Sequence, residues 1–159
     1  MCLTLKYNTR FCVSYDIKVY KMLNAWDRRK IITPYQHTPV DFKDGKFELW
    51  IDDKELKPNF WNDVFRGIHS YQDLTESSNI SSLLCYKLYY AVIPAGTPFY
   101  VGIDGDVVSS KLIIFETYVD FCKYEEENGK ISPLKAKPSG AKYDIEFGYM
   151  KEGEIVKEV

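Results

Sequence analysis

Three segments of the chain alternate apolar and polar residues with a period of two, which is typical of half-buried strands. They are Ile17–Leu23, Phe47–Ile51 and Lys142–Met150. The first two predict strands, and the second of these follows an Asp44-Gly45 turn signal. The third precedes Glu152-Gly153, so it predicts a C-terminal hairpin extension at 141–159.

The longest β-forming region covers residues 85–115. Its apolar and aromatic runs are Cys85–Ile93, Thr97–Gly102 and Val107–Phe115. Pro94-Ala95-Gly96 separates the first two runs, and Asp104-Gly105 separates the last two. Because turn residues join consecutive runs, the pattern predicts a three-stranded meander.

Helical signals are fewer. Ser70 is placed to cap a helix from about Tyr71 to Leu84, directly after a short strand at Gly67–Tyr71. Val119–Glu127 fits either a strand end or a short helix, and the aromatic residues of Phe60–Gly67 have no single period, which favours a loop. We therefore expect one α+β domain over residues 1–159, a mainly antiparallel β-sheet with one or two short helices.

Composition supports a sheet and excludes one class of function. The strand-favouring Val, Ile, Thr, Phe, Tyr and Trp outnumber the helix-favouring Ala, Leu, Met and Gln by 56 to 21. The net charge is −2, so the chain has no basic excess with which to neutralise a phosphate backbone. General nucleic-acid binding is therefore not expected.

The sequence also predicts the compartment. The first residues lack the basic start and apolar run of a secretory signal, and the longest uncharged stretch, 88–103, is short and contains two prolines and two glycines. The four cysteines form no Cys-x-x-Cys pair, and only two histidines are present, so zinc-ligand spacing is absent. We expect a protein of the host cytoplasm with reduced thiols, no membrane segment, no metal and no cofactor.

Candidate chemistry is sparse. His69 lies inside a predicted strand, where it could act as a general base or be a structural residue, and no nucleophile can be paired with it from the sequence. The aromatic side chains of 86–100 either pack across strands or present tyrosines to a base, a sugar or a protein. No catalytic residue is identified.

Several short motifs carry a resemblance. Val19-Tyr20-Lys21, Thr33-Pro34-Tyr35-Gln36, Gly67-Ile68-His69-Ser70-Tyr71, the run Ile93–Tyr100 and Val108-Ser109-Ser110-Lys111-Leu112 occur in this order. Over about residues 17–116, this combination resembles a group of uncharacterised proteins from bacteriophages and from gut bacteria of the Bacteroides kind. The resemblance implies a phage or mobile-element protein and carries no established activity.

A more distant similarity is to ADP-ribosyltransferases of the Arg, Ser-x-Ser, Glu-x-Glu type, in which three strands line an NAD cleft. Tyr20-Lys21 stands at the family's Tyr-Arg position, His69-Ser70-Tyr71 at its Ser-Thr-Ser position, and Ser109-Ser110-Lys111 near its Glu-x-Glu. Lys21 replaces the arginine, and Glu116, several residues beyond the motif, is the nearest candidate acid.

These observations lead to three function hypotheses. The first is a non-catalytic binding protein that acts on a nucleotide-like small molecule or a host protein. The alternatives are an ADP-ribosyltransferase-like enzyme that uses NAD, and a structural virion component. For the first hypothesis, the candidate ligand-binding residues are Tyr20, Lys21, His69, Tyr71, Ser110 and Lys111, with the lysines contacting negative charge and the tyrosines stacking.

Overall fold

A computed structural model describes most of the chain. The described residues are 3–4, 10–27, 30–33, 38–59, 61, 63–64, 66–72, 86–103, 106–129, 131–133, 135–136, 145–146 and 157–158. Within these residues, strand pairing is almost entirely antiparallel and one α-helix is present. The expected α+β class with a mainly antiparallel sheet is confirmed at this level.

The described elements are mostly short strands. They are β1 (Leu3–Thr4), β2 (Phe11–Cys12), β3 (Ile17–Asp27), β4 (Lys30–Ile32), β5 (Lys46–Trp50), a 3-10 helix (Asp53–Glu55), β6 (Asp63–Val64), β7 (Ile68–Tyr71), β8 (Tyr86–Ile93), β9 (Phe99–Val101), β10 (Asp106–Ser109), β11 (Lys111–Phe115), α1 (Tyr118–Asn128), β12 (Ser132–Pro133), β13 (Lys135–Ala136), β14 (Ile145–Glu146) and β15 (Lys157–Glu158).

The main sheet has the strand order β15-β2-β9-β10-β7-β3-β8-β11-β5. Along one edge, β3 pairs with β8 from Ile17 to Asn24. Its other edge is shared by three strands: β12 at Ile17, β7 at the single pair Tyr20–Tyr71, and β4 from Asn24. Because β7 meets β3 at one residue pair only, the sheet divides beside Tyr20.

The principal hydrophobic cluster lies on one face of this sheet. Ile17, Val19 and Leu23 of β3 belong to it, together with residues from both ends of the strand order, such as Phe11 and the half-buried Leu49. Residues this far apart in the order can share one cluster only if the sheet curves around it. Burial of this apolar area is the main stabilising contribution to the fold.

Two smaller clusters cover the opposite face. Helix α1 packs Phe121 against Val92 and Phe115, and at the other end Leu56 packs with Val108. The face of β3 and β7 that carries Tyr20 and Tyr71 lies between these two clusters, and Met22 on this face is buried.

The N-terminus of α1 is capped within the chain and held by a turn. Thr117 and Asp120 form a capping box, in which the Thr117 backbone N–H donates to the Asp120 carboxylate and the Asp120 N–H donates to Thr117 Oγ1. The neighbouring Glu116 N–H donates to the carbonyl of Gly45, at 2.9 Å, in the turn before β5.

Of the predicted three-stranded meander over 85–115, the hairpin between the second and third runs is present as β9 and β10, but the pairing of the first run with the second is wrong. Strand β8 pairs with β3 and β11, whereas β9 pairs with β2 and β10. The turn at Pro94–Gly96 closes no hairpin because it is bound elsewhere: the Gly96 N–H donates to Val13 O and the Ala95 N–H to the Asp16 carboxylate. Val107–Phe115 is two strands that separate at Ser110.

The other predicted elements have mixed outcomes. The strands at 17–23, 47–51 and 67–71 are present, and Val119–Glu127 is helical. The helix predicted from Tyr71 to Leu84 lies almost entirely outside the described residues. In the predicted C-terminal hairpin, β14 pairs with β13 and β15 pairs with β2, and most of 141–159 lies outside the described residues.

Candidate functional site

Four of the six predicted ligand residues meet where the sheet divides. Tyr20 and Lys21 are on β3, and His69 and Tyr71 are on β7. Tyr20 and Tyr71 are the one paired position between these strands, and the Lys21 ammonium donates to the His69 carbonyl at 2.6 Å. The lysine therefore bridges the strands beside the point at which they separate.

These residues do not share one face. Alternate residues of a strand point to opposite faces, and Val19 and Leu23 belong to the principal cluster, so Lys21 points to that side. Tyr20, paired with Tyr71, points to the side of α1. The predicted lysine and the predicted tyrosines are therefore separated by the sheet.

Ser110 and Lys111 lie elsewhere. The register of β10 against β7 sets Asp106 opposite Tyr71 and Val108 opposite His69, so Ser110 is four residues, about 13 Å, beyond the first position and two residues, about 7 Å, beyond the second. Ser110 is buried in the bend between β10 and β11, and the exposed Lys111 pairs with Trp50. The structure therefore places Ser110 near the His69 end of β7 and Lys111 opposite Trp50, and neither lies beside the Tyr20–Tyr71 pair.

Burial changes the chemistry of Lys21. Only 7% of this residue is exposed, and desolvation lowers the pKa of its ammonium from 10.5 to about 8. Within the described part of the chain, its hydrogen-bond partner is the His69 carbonyl alone. A buried ammonium that already donates to the backbone is poorly placed to contact a ligand anion.

His69 is also largely removed from solvent. Burial and the nearby Lys21 charge lower the pKa of its imidazole from 6.5 to about 4, so the ring is neutral near pH 7. Among the described residues, neither His69 Nε2 nor the buried Ser70 Oγ has a hydrogen-bond partner. The pair Lys21 and His69 is thus a buried polar contact in the fold.

His69 should make the fold sensitive to acid. The His69 imidazole has a pKa of 6.5 in the unfolded chain and about 4 in the folded chain, so the unfolded chain takes up this proton first as the pH falls. The free energy of unfolding therefore falls as the pH falls through this window. Between pH 7 and pH 4, we expect the free energy of unfolding to decrease by about 3 kcal/mol less in His69→Gln than in the wild-type protein. Urea unfolding of both proteins at each pH measures this. An equal decrease in the free energy of unfolding in the two proteins would contradict the burial of the imidazole.

Tyr20 and Tyr90, which the sequence indicated as candidates, belong to an aromatic cluster on the α1 side of the sheet, and its other members were not indicated by the sequence. The Lys18 ammonium lies 5.5 Å from the ring centroid of Tyr20, 5.1 Å from that of Tyr90 and 5.5 Å from that of Phe121. Tyr118 adds a fourth ring, 5.0 Å from Tyr90. We call these five residues the Lys18 aromatic cluster. It holds a cation against several ring faces.

A pocket of about 280 Å³ adjoins this cluster. It opens where β8 and β11 stop pairing, after the Ile114–Ala91 pair, and its lining includes Tyr90 and Tyr118 of the cluster. The remaining lining residues are Lys87, Leu88, Tyr89, Phe115, Glu116 and Thr117. Burial and the Glu116 carboxylate raise the pKa of the Tyr89 hydroxyl, which therefore stays protonated as a hydrogen-bond donor.

The lining residues combine aromatic surface with both signs of charge. Lys87 supplies a cation, Glu116 supplies a carboxylate, and Thr117 supplies a hydroxyl. Such a set suits a planar ligand that has polar edges. Lys18 and Tyr20, two residues apart on one strand face, were visible in the sequence, but their contact with Tyr90 depends on the β3–β8 register.

No group of three or more His, Cys, Asp or Glu side chains among the described residues is arranged to hold a metal ion. No helix in this part of the chain has the length and apolar character required to cross a membrane.

Known proteins offer no further guide to the site. Comparison with protein-family models, with curated proteins and with solved structures gave no significant match to this chain.

Proposed function

We propose that this protein binds a nucleotide-like small molecule, without chemical turnover, at the Lys18 aromatic cluster and the adjoining pocket. The observation that carries the proposal is the continuity of these two features through Tyr90, which contacts the Lys18 ammonium through its ring and is one of the residues that line the pocket. A base and a phosphate need this combination of a ring face and a cation close together.

The cation of the cluster is available for a ligand anion. Among the described residues, no carboxylate lies within ion-pair distance of Lys18. The rings of Tyr20, Tyr90 and Phe121 hold the ammonium in place, so its positive charge has a defined position before a ligand arrives. A phosphate that contacts Lys18 would gain charge-assisted hydrogen bonds at a small ordering cost.

The pocket size indicates how large the ligand is. A volume of about 280 Å³ is at the lower end of small-molecule sites, which begin at roughly 300 Å³. It accommodates a single base and sugar better than the two nucleoside units of NAD. The proposal is therefore a mononucleotide, with its base against Tyr90 and Tyr118 and its phosphate towards Lys18.

Of the six residues predicted from the sequence, Tyr20 is retained as a ligand contact. Lys21 and His69 are instead assigned to the fold, because they are buried and the Lys21 ammonium donates to the His69 carbonyl. Binding of a host protein and a structural role in a virion remain the other predictions from the sequence.

A second candidate is an enzyme that uses NAD, as the ADP-ribosyltransferase resemblance implies. One observation favours it: Glu116, the candidate acid, lines the same pocket. The position of the family's arginine is less suitable for this activity, because it is occupied by Lys21, which is buried. This enzyme would release nicotinamide from NAD, and Glu116→Gln would abolish that release.

The proposal is tested by calorimetric titration with adenosine, guanosine, cytidine and uridine monophosphates. Loss of one stacked ring costs about 1–3 kcal/mol, so we expect Tyr90→Leu to weaken binding about tenfold or more. Lys18→Met should weaken binding of the monophosphate but not of the corresponding nucleoside. Lys54→Met, at an exposed lysine of the 3-10 helix, is the matched control.

Two results would contradict the proposal. One is the absence of binding for all four monophosphates, and the other is unchanged affinity in both Tyr90→Leu and Lys18→Met. Release of nicotinamide from NAD by the wild-type protein, lost in Glu116→Gln, would favour the second candidate instead.

A further inference from the structure

The pocket between β8 and β11 is lined from both faces of the sheet. Tyr90 and Phe115 pack on the α1 side, whereas Tyr89 belongs to the principal cluster on the other side. Glu116 follows the alternation of Ile114, which is also a member of the principal cluster. The gap that forms where the two strands stop pairing therefore connects an aromatic side with a polar side. A planar ligand stacked on the aromatic side directs its edge towards Tyr89 and Glu116.

Two polar groups at this edge are free to bind a ligand. In the part of the chain that the structure describes, no hydrogen bond or ion pair involves the Glu116 carboxylate or the Tyr89 hydroxyl. Burial raises the pKa of this hydroxyl and the carboxylate raises it further, which shows that the two groups are close. The protonated hydroxyl is a donor, while the carboxylate offers two acceptor oxygens. An acceptor and a donor therefore lie side by side.

Lys87 adds a second donor beyond Tyr89. The β8–β11 register, continued past its last pair, sets Glu116 opposite Tyr89. Lys87 is two residues, about 7 Å, further along β8 on the same strand face. Its ammonium lies 5.2 Å from the centroid of the Tyr89 ring. We call Glu116, Tyr89 and Lys87 the polar row, because they follow one another as an acceptor, a donor and a cation.

Of the four bases of RNA, guanine matches this order of groups. Its edge presents the N2 and N1 donors side by side, followed by the O6 and N7 acceptors. A carboxylate accepts both donors with its two oxygens, and a hydroxyl and an ammonium suit the two acceptors. Adenine has its N1 acceptor where guanine has a donor, and a carboxylate repels that acceptor. Cytosine and uracil each present one donor group beside an acceptor, so neither offers two adjacent donors.

We propose that the pocket selects guanine over the other bases. The Glu116 carboxylate accepts from N1–H and N2–H, the Tyr89 hydroxyl donates to O6, and the Lys87 ammonium donates to N7. This inference rests on the proposed nucleotide site and adds the identity of the base. Because Tyr90 and Tyr118 stack on any base, the polar row sets the preference.

Calorimetric titration with guanosine, inosine and adenosine monophosphates tests the base preference. Inosine monophosphate has the N1 donor and the two acceptors of guanine but lacks the N2 amino group. The wild-type protein should bind guanosine monophosphate at least about tenfold more tightly than adenosine monophosphate, with inosine monophosphate between them. Glu116→Gln should lose most of the preference for guanosine over inosine monophosphate, because the amide has one acceptor oxygen where the carboxylate has two.

Two further variants separate the contacts. Tyr89→Phe removes the donor to O6, which guanosine and inosine monophosphates share, so it should weaken both equally and leave the ratio of their affinities unchanged. Glu126→Gln, at an exposed glutamate of α1 that does not line the pocket, is the matched control and should change neither affinity. Circular dichroism of each variant establishes that it is folded.

The outcomes distinguish the base preference from the proposed site. Equal affinities for the three monophosphates, together with weakened binding in Tyr90→Leu, would overturn the preference and leave the site in place. A preference for guanosine monophosphate that is unchanged in Glu116→Gln would overturn the role of the carboxylate. Absence of binding for all three would overturn the proposed function, and the base preference with it.

Discussion

Replacing Gly67 by alanine should destabilise the protein by about 3 kcal/mol or more. Two costs combine at this position. Gly67 has a φ of +144°, a conformation that residues with a side chain rarely adopt. An added Cβ would also overlap Val108 Cγ2 and lie 2.8 Å from Leu56 Cδ1, in a cluster that is already fully buried. Both neighbours are fully buried, so a shift of either disturbs the packing around it.

Gly96→Ala is the matched control for this prediction. Gly96 also has a positive φ, +78°, but an added Cβ would meet no atom within 4 Å. Its cost should be that of the backbone alone, about 1–2 kcal/mol. Urea unfolding of the wild-type protein and the two variants measures both costs. Equal losses in Gly67→Ala and Gly96→Ala would show that the close approach of Gly67 to Val108 contributes nothing.

Lys21 should make the fold more stable as the pH rises. The folded protein loses the Lys21 proton at about pH 8, whereas the unfolded chain keeps it to about 10.5. Between these values the unfolded chain binds more protons, so the free energy of unfolding increases with pH. We expect the wild-type protein to gain about 3 kcal/mol across this window relative to Lys21→Met.

The comparison with Lys21→Met removes the effect of all other titrating groups. The free energies of unfolding of both proteins are measured in urea at pH 7, 8, 9 and 10. The free energy of unfolding of the wild-type protein minus that of Lys21→Met should rise steadily from pH 7 to pH 10, since the methionine variant has no buried charge to remove. A difference that does not change with pH would mean that the Lys21 ammonium is solvated in the folded protein.

Strands were the part of the fold that local pattern could predict. Ile17–Leu23 and Phe47–Ile51 alternate because one face of β3 and of β5 packs on the principal cluster. The start of α1 also had a local signal, Thr117 followed three residues later by Asp120, which forms the capping box. The local pattern predicts an element when the interactions that form this element lie within a few residues of one another.

Strand order was not predictable because its causes are distant in sequence. The turn at Pro94–Gly96 resembles a hairpin turn, yet its N–H groups bind Val13 and Asp16, about 80 residues earlier. The run Val107–Phe115 predicts one strand, but it carries the polar residues Ser109-Ser110-Lys111 in its middle, and the buried Ser110 separates it into strands with different neighbours. Neither interaction leaves a periodic signal.

The candidate site, too, could be predicted from the sequence only in part. The sequence brought Tyr20, Lys21, His69 and Tyr71 into one hypothesis, and these residues do lie on neighbouring strands. It could not show that Lys21 is buried, since burial depends on the curvature of the whole sheet. The contact of Lys18 with Tyr90 and Phe121 needs both the β3–β8 register and the packing of α1.

The contact between the Gly45 turn and the start of α1 links two elements that are far apart in sequence. The Glu116 N–H is bonded to Gly45 O, and a Cβ at Gly45 would collide with the Asp120 carboxylate that caps the helix. Opening the turn therefore removes support from the helix cap, and fraying of the helix loosens the turn. The two should open as one cooperative unit, so their amide protons should exchange with solvent at a common rate.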